Sequence, residues 1–251
     1  MTNIPTPLYL DWQFWAALAA FLALILSQLP PIYLLVKPRR LDVEVHSRIN
    51  VLHKVGNPNI CLYVTLRNTG GRKLLIRSLR IDLSRDGKPL LTLPVQNYFE
   101  NPSSTSPVLF VPFTLKPEDS WGHVVNFLNL FDRGTEKSFR ESESKLSADI
   151  RKKLKERPAG NEELVLAEPE LVNPFINFFD KFFIWDTGEY VAQLIIETDH
   201  QKVSFSRQYR FMLYESDTRE LREQTDDYKF GGGISYNVDN HIGVFVPLFP
   251  T

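Results

Sequence analysis

From Trp12 to Val36 the chain carries no charged residue, and Trp12–Leu29 reads WQFWAALAAFLALILSQL. About 20 uncharged, mostly apolar residues are enough to cross roughly 30 Å of hydrocarbon as a helix. This run divides the chain into a short tail at 1–11, a predicted transmembrane helix at 12–36 and a large remainder. A cleaved signal peptide fits poorly, because residues 1–11 hold no Lys or Arg and Ser27-Gln28-Leu29-Pro30-Pro31 makes a poor cleavage site. Trp12, Trp15 and Tyr33 lie near the ends of the run, where amphipathic rings favour an interface. Lys37, Arg39 and Arg40 follow it, whereas the other flank offers only Asp11. That bias predicts a single-pass protein of the cell membrane with residues 37–251 in the cytoplasm. The competing reading is an uncleaved signal anchor with the domain outside, periplasmic or extracellular. The single cysteine, Cys61, excludes a disulfide within one chain.

The remainder begins as strands. Leu41–Val45 alternates apolar and polar residues, as do Leu62, Val64 and Leu66, and then Leu79, Ile81 and Leu83 against Arg80, Asp82 and Ser84. Turn clusters separate them at His53–Asn59, Asn68–Gly71 and Asp86-Gly87-Lys88, the last containing the Asp-Gly hairpin signal. Val108–Leu115 and Trp121–Leu128 follow on either side of Lys116-Pro117-Glu118-Asp119. Tyr190–Thr198 and Val203–Leu213 read as a hairpin across Asp199–Lys202. Short strands at this spacing predict a mainly β fold, an antiparallel β-sandwich.

Asp186-Thr187-Gly188-Glu189-Tyr190-Val191-Ala192 resembles the D-x-G-x-Y-x-C segment of the immunoglobulin fold, and the turns at Asn68–Gly71 and Leu115–Glu118 resemble those of bacterial immunoglobulin-like, adhesion-type sandwich modules. The resemblance implies that Tyr190 sits at a corner, bonding back to the backbone, and that Ala192 points inward where those domains place a cysteine. It implies a fold and is nearly silent on function.

Two helical insertions are expected in this domain of residues 37–214, at about 132–157 and 173–184, with 215–251 as a C-terminal extension. Residues 132–157 carry a narrow apolar stripe of Phe139, Leu146, Ile150 and Leu154, flanked by i,i+4 pairs such as Glu136/Arg140 and Asp149/Lys153. Arg151, Lys152, Lys153, Lys155 and Arg157 form a candidate anionic-surface patch; the bland alternative is a solvated basic helix end that complements its own dipole. Asn173-Pro174 reads as cap and first turn of the second helix. Phe175, Phe178, Phe179, Phe182 and Phe183 then fall on one helical face. Such a face caps an open end of the sheet, packs on the first insertion, or contacts a partner or membrane. The C-terminal segment Ile234–Thr251 alternates Ile242, Val244 and Val246, and either adds an edge strand to its own sheet or is offered to a partner.

Chemistry-bearing motifs are sparse. The five histidines show no metal-ligand spacing, and no phosphate-loop, dinucleotide or nucleophile-elbow motif occurs. With 29 basic and 30 acidic residues, the balanced charge gives no case for nucleic acid. The expectation is therefore a non-catalytic, cofactor-free interaction module tethered to membrane lipid through its anchor, with a protein partner: a scaffold, sensor or adaptor subunit of a larger assembly. An extracytoplasmic adhesion-like or envelope-associated binding domain is the alternative.

Overall fold

The computed structural model describes residues 12–28, 37–101, 103–104, 106–158, 163–234 and 243–251. Helix α1 (Trp12–Gln28) comes first. Eight strands follow: β1 (Leu41–Val45), β2 (Arg48–Lys54), β3 (Asn57–Asn68), β4 (Leu74–Arg85), β5 (Lys88–Phe99), β6 (Val108–Leu109), β7 (Phe113–Leu115) and β8 (Ser120–Leu128). Helices α2 (Arg133–Glu156) and α3 (Pro169–Phe182) interrupt the sheet, which resumes with β9 (Gly188–Thr198) and β10 (Phe205–Leu213). Helix α4 (Glu215–Glu223) and the short strands β11 (Val244–Pro247) and β12 (Phe249–Pro250) complete the chain.

The expected membrane anchor is corrected. Helix α1 has 17 residues, which at 1.5 Å per residue span about 25 Å. Among the described residues no helix is long and apolar enough to cross a membrane. A single-pass cell-membrane localisation, and the sidedness deduced from Lys37, Arg39 and Arg40, therefore lose their support. The end of the expected span, 29–36, and the tail at 1–11 lie outside the described residues.

The immunoglobulin-like sandwich is corrected too. All twelve strands belong to one antiparallel sheet, in the order β11-β2-β3-β8-β5-β4-β9-β10-β12, with β1 on β3, β6 on β5 and β7 on β4. Strand β5 is what joins the halves. Residues Lys88–Pro94 pair with β4, and Val95–Phe99 pair with β8. Pro94, which has no N–H to donate, stands where the strand changes partners. The splay this creates is filled by β6, which pairs with Asn97 and Tyr98, and by β7, which pairs with Leu74–Ile76. The opposite seam is closed the same way. Strand β11 pairs with β2, and β12, one residue further on, pairs with β10. Register shifts at Leu83/Ser84, Ile76/Ser78 and Val95/Asn97 supply the bends that coil the sheet. The outcome is a nearly closed, barrel-like arrangement filled by inward residues of alternating strands, including Leu62, Val64, Leu66, Leu79, Ile81, Leu194 and Phe211.

Local chemistry explains the tight corners. Asp86 and Gly87 take φ of 48° and 76°, the paired left-handed geometry of a two-residue hairpin. Val55 (φ 51°) and Gly56 (φ 79°) repeat it between β2 and β3. A β-branched residue in that region costs about 1–2 kcal/mol, which burial of Val55 under the helices offsets.

Candidate binding surfaces

One end of the barrel is capped by α2, α3 and the segment after α4. Their apolar residues form a second core of Val55, Phe139, Leu146, Ile150, Ala167, Phe175, Phe179, Tyr228 and Ile234. The phenylalanine face points into it. Phe175 and Phe179 are fully buried. Phe178 lies 5.4 Å from Phe139, and Phe182 lies 4.8 Å from Phe131. Phe183 stacks on Phe179 at 4.6 Å, beneath the Arg222 guanidinium. All five rings thus pack on α2, on the β2–β3 turn and on each other, at the cap rather than on an open face. Gly56 permits this: a Cβ there would lie 2.7 Å from the Phe179 backbone.

Helix α3 begins at Pro169, a turn earlier than the Asn-Pro signal predicts, and Pro174 lies inside it. The cap comes from another helix. Glu168 N–H donates to Asp149 Oδ2 of α2, and Lys153 Nζ bridges Asp149 (3.0 Å) and Glu168 (2.6 Å). This clamp consumes part of the candidate basic patch. Lys153 also donates to Leu166 O, and Arg157 donates to Glu163 O. Arg151, Lys152 and Lys155 remain exposed. Arg151 lines a groove of about 530 Å³ along α2 with Lys54, Arg140, Glu143 and Ile234. A neighbouring groove of about 410 Å³ shares Lys54, Arg140 and Glu143 and adds Phe131 and Phe139. Lys54 pairs with Glu143, and Arg140 with Glu136, so the charge lining this second groove is balanced.

His53 is buried beside this cap and fully engaged. Its Nδ1 accepts from Gly56 N–H, and Nε2 lies 2.8 Å from Leu221 O, which fixes a neutral ring with the proton on Nε2. Tyr228 is buried nearby, its hydroxyl without a hydrogen-bond partner among the described residues, and burial pushes its pKa up. It borders a cavity of about 10 Å³, the space of a single water.

Tyr190 carries the corner geometry that the resemblance implies. Its hydroxyl lies 2.7 Å from Ile184 O and 2.8 Å from Asp186 O, and its ring stacks on Phe211 at 5.1 Å. Ala192 is buried. Around this corner, Asp186 receives hydrogen bonds from Arg85 and Arg222, both at 2.8 Å. Burial raises the Asp186 pKa, but those two guanidiniums outweigh it and hold the carboxyl below its ordinary range. Cys61 donates to Asn126 Oδ1 at 2.6 Å, and burial pushes its thiol up to about 12.

The opposite end of the barrel is aromatic, which strand-by-strand reading missed. Trp121 lies 5.3 Å from Tyr98, 5.0 Å from Phe113 and 4.7 Å from His123, all of them half-buried. The alternation of Trp121 and His123 with Val125 and Phe127 was the available signal, since it puts all four on the inner face. On the outer side, Met212 and Phe249 border an apolar pocket of about 240 Å³ at the seam. Helix α1 exposes rings and branched chains all round: Trp12, Phe14, Trp15, Phe21, Leu22, Leu24, Ile25 and Leu26. Among the described residues, no group of three His, Cys, Asp or Glu is placed to hold a metal ion.

No protein family, curated protein or solved structure matches the chain.

Proposed function

We propose that this chain is a non-catalytic interaction subunit, a scaffold or adaptor that holds a protein partner within a larger assembly. The observation that carries the reading is α1. It has no acidic residue in its first turn and no basic residue in its last, and its large apolar side chains are exposed around its circumference. A helix that is apolar on every side is normally buried, and contiguous exposed apolar surface marks a site of contact. The barrel contributes a body to which that helix is joined, and the chain's formal charge of −1 steers no polyanion. An apolar groove in a partner protein is the contact this chemistry favours.

The test uses the full chain and a variant with Phe21→Ser, Leu24→Ser and Ile25→Ser, each purified gently from its native host. The expected result is that the wild-type chain migrates in a complex larger than itself. The variant migrates alone with an unchanged β-sheet spectrum. Migration of both as free chains overturns the proposal, as does partition of the wild-type chain into lipid vesicles with no protein bound.

A further inference from the structure

Among the described residues, strand β1 pairs along one edge only. It pairs with β3 from Leu41↔Asn68 to Val45↔Val64, whereas β2 pairs with the same strand from Asn50↔Cys61 to Lys54↔Asn57. From Val45 to Asn50 the first strand advances five residues, while β3 moves back three, from Val64 to Cys61. Two extra residues are therefore accommodated at His46 and Ser47. This kink has a consequence on the other edge. Strand β11 pairs with Arg48–Val51 only. Leu248 N–H donates to Ser47 O, and there the C-terminal strand crosses over to β10, where Thr251 N–H donates to Gln208 O. The strand that closes the seam thus never reaches β1.

The direction of β1's free groups follows from its bonds to β3. Arg40 O accepts from Thr69 N–H, and His46 N–H donates to Tyr63 O. Even-numbered residues therefore face β3, and Leu41, Val43 and Val45 turn their N–H and C=O groups to the far side. Among the described residues no strand pairs with that side. Among the described residues, the matching stretch of β10 has no strand on this edge beyond Gln208, because β12 covers only Tyr209 and Arg210. Arg207, on the inward face of β10, is exposed there and lies over Tyr209. Unpaired edges of this kind recruit strands, and peptide recognition by strand addition uses them.

We propose that the outer edge of β1 binds an extended peptide as an added antiparallel strand. The side chains specify its chemistry. Leu41, Val43 and Val45 turn inward and pack on or against the barrel core, so the peptide presents apolar residues at alternate positions on that face. Asp42 and Glu44 point outward, so the intervening residues are basic, each beside a carboxylate. Arg40, exposed at the start of β1, faces the peptide's C-terminal end and favours an acidic residue there. A second copy of this chain is a poor occupant, because antiparallel β1 edges would set Asp42 and Glu44 against the same two residues.

This inference deepens the interaction reading but uses a surface separate from α1. It is tested with a labelled seven-residue probe of sequence Lys-Val-Lys-Val-Lys-Val-Glu against the full chain, by fluorescence anisotropy and amide hydrogen exchange. Saturable binding is expected, with exchange at Leu41, Val43 and Val45 slowed at least about tenfold. Val43→Pro removes the outward N–H and leaves the ladder to β3 intact; Asp42→Lys with Glu44→Lys reverses the charge without touching the core. Each is expected to weaken binding at least about tenfold, and the triple serine variant of α1 is expected to bind the probe as wild type does. Loss of binding in that α1 variant would contradict a separate β1 site, whereas loss of the larger complex alone would bear only on α1. The proposal is overturned if Val43→Pro and the charge-reversed variant bind as wild type does. It is also overturned if an alternating Glu-Val probe binds equally well, if those amides are already protected without peptide, or if the chain pairs with its own copy as concentration rises.

Discussion

At the scale of single residues, the corner at Tyr190 joins sequence to architecture most directly. A fully buried phenol donates its one proton to carbonyls of the segment that leads into β9. Removing the hydroxyl takes a donor from two partly buried carbonyls, one of which keeps the Asp186 N–H, so Tyr190→Phe is expected to lower stability by about 1 kcal/mol in urea denaturation; an unchanged midpoint would show that the bond contributes nothing. The D-x-G-x-Y pattern made this corner legible. The arginines that complete it were not legible, because Arg85 and Arg222 lie 101 and 36 positions from Asp186. Their effect is measurable as a pH dependence. The Asp186 pKa is depressed in the folded chain, so its stabilising contribution is present at neutral pH and fades as pH falls below about 4 through the folded value. Asp186→Asn is expected to be less stable than wild type at pH 7, with the gap closing in acid. A gap that is constant with pH would refute the ion-pair account.

At the scale of elements, α2 coincides with the periodic segment at 132–157, with Leu154 of the expected stripe only half-buried. Phe139, Leu146 and Ile150 are the residues α2 buries, and the five-phenylalanine face of α3 packs inward. The start of α3 escaped sequence reading because its cap is tertiary: Asp149 and Lys153 reach across from α2, so a local Asn-Pro signal could not compete. Strand β5 escaped for a related reason. Pro89 and Pro94 argue against a long strand locally, yet Pro94 falls where β5 changes partners and a missing N–H is harmless. The packing account makes a direct prediction. Phe179→Ala empties a fully enclosed site between His53, Phe183 and Tyr228, and should destabilise the chain by about 3–5 kcal/mol. A loss under about 1 kcal/mol in calorimetry or urea titration would mean that the face is not a core. Gly56→Ala should be comparably damaging, since the methyl group meets the Phe179 backbone and the φ is unfavourable.

At the scale of the molecule, alternation of apolar and polar residues identified β strands but not how the sheet closes. Two-layer and barrel arrangements share the same inward pattern; what separates them is which edge strands pair, and that rests on long-range register. Here a shared β5 and two crossing segments, β6/β7 and β11/β12, join two half-sheets into one nearly closed wall. The segment after α4, read from sequence as an extension, is the piece that shuts the second seam. The anchor expectation failed at this scale as well, because the uncharged run of 25 residues from Trp12 to Val36 contains a described helix of only 17. The most direct test of this crossing is a set of backbone NOEs on the deuterated full chain, read along residues 244–251. The account predicts interstrand contacts from Val246 to Ile49 and, within the same molecule, from Phe249 to Arg210. Contacts to β2 with none to β10, or the reverse, would leave the seam open and contradict it.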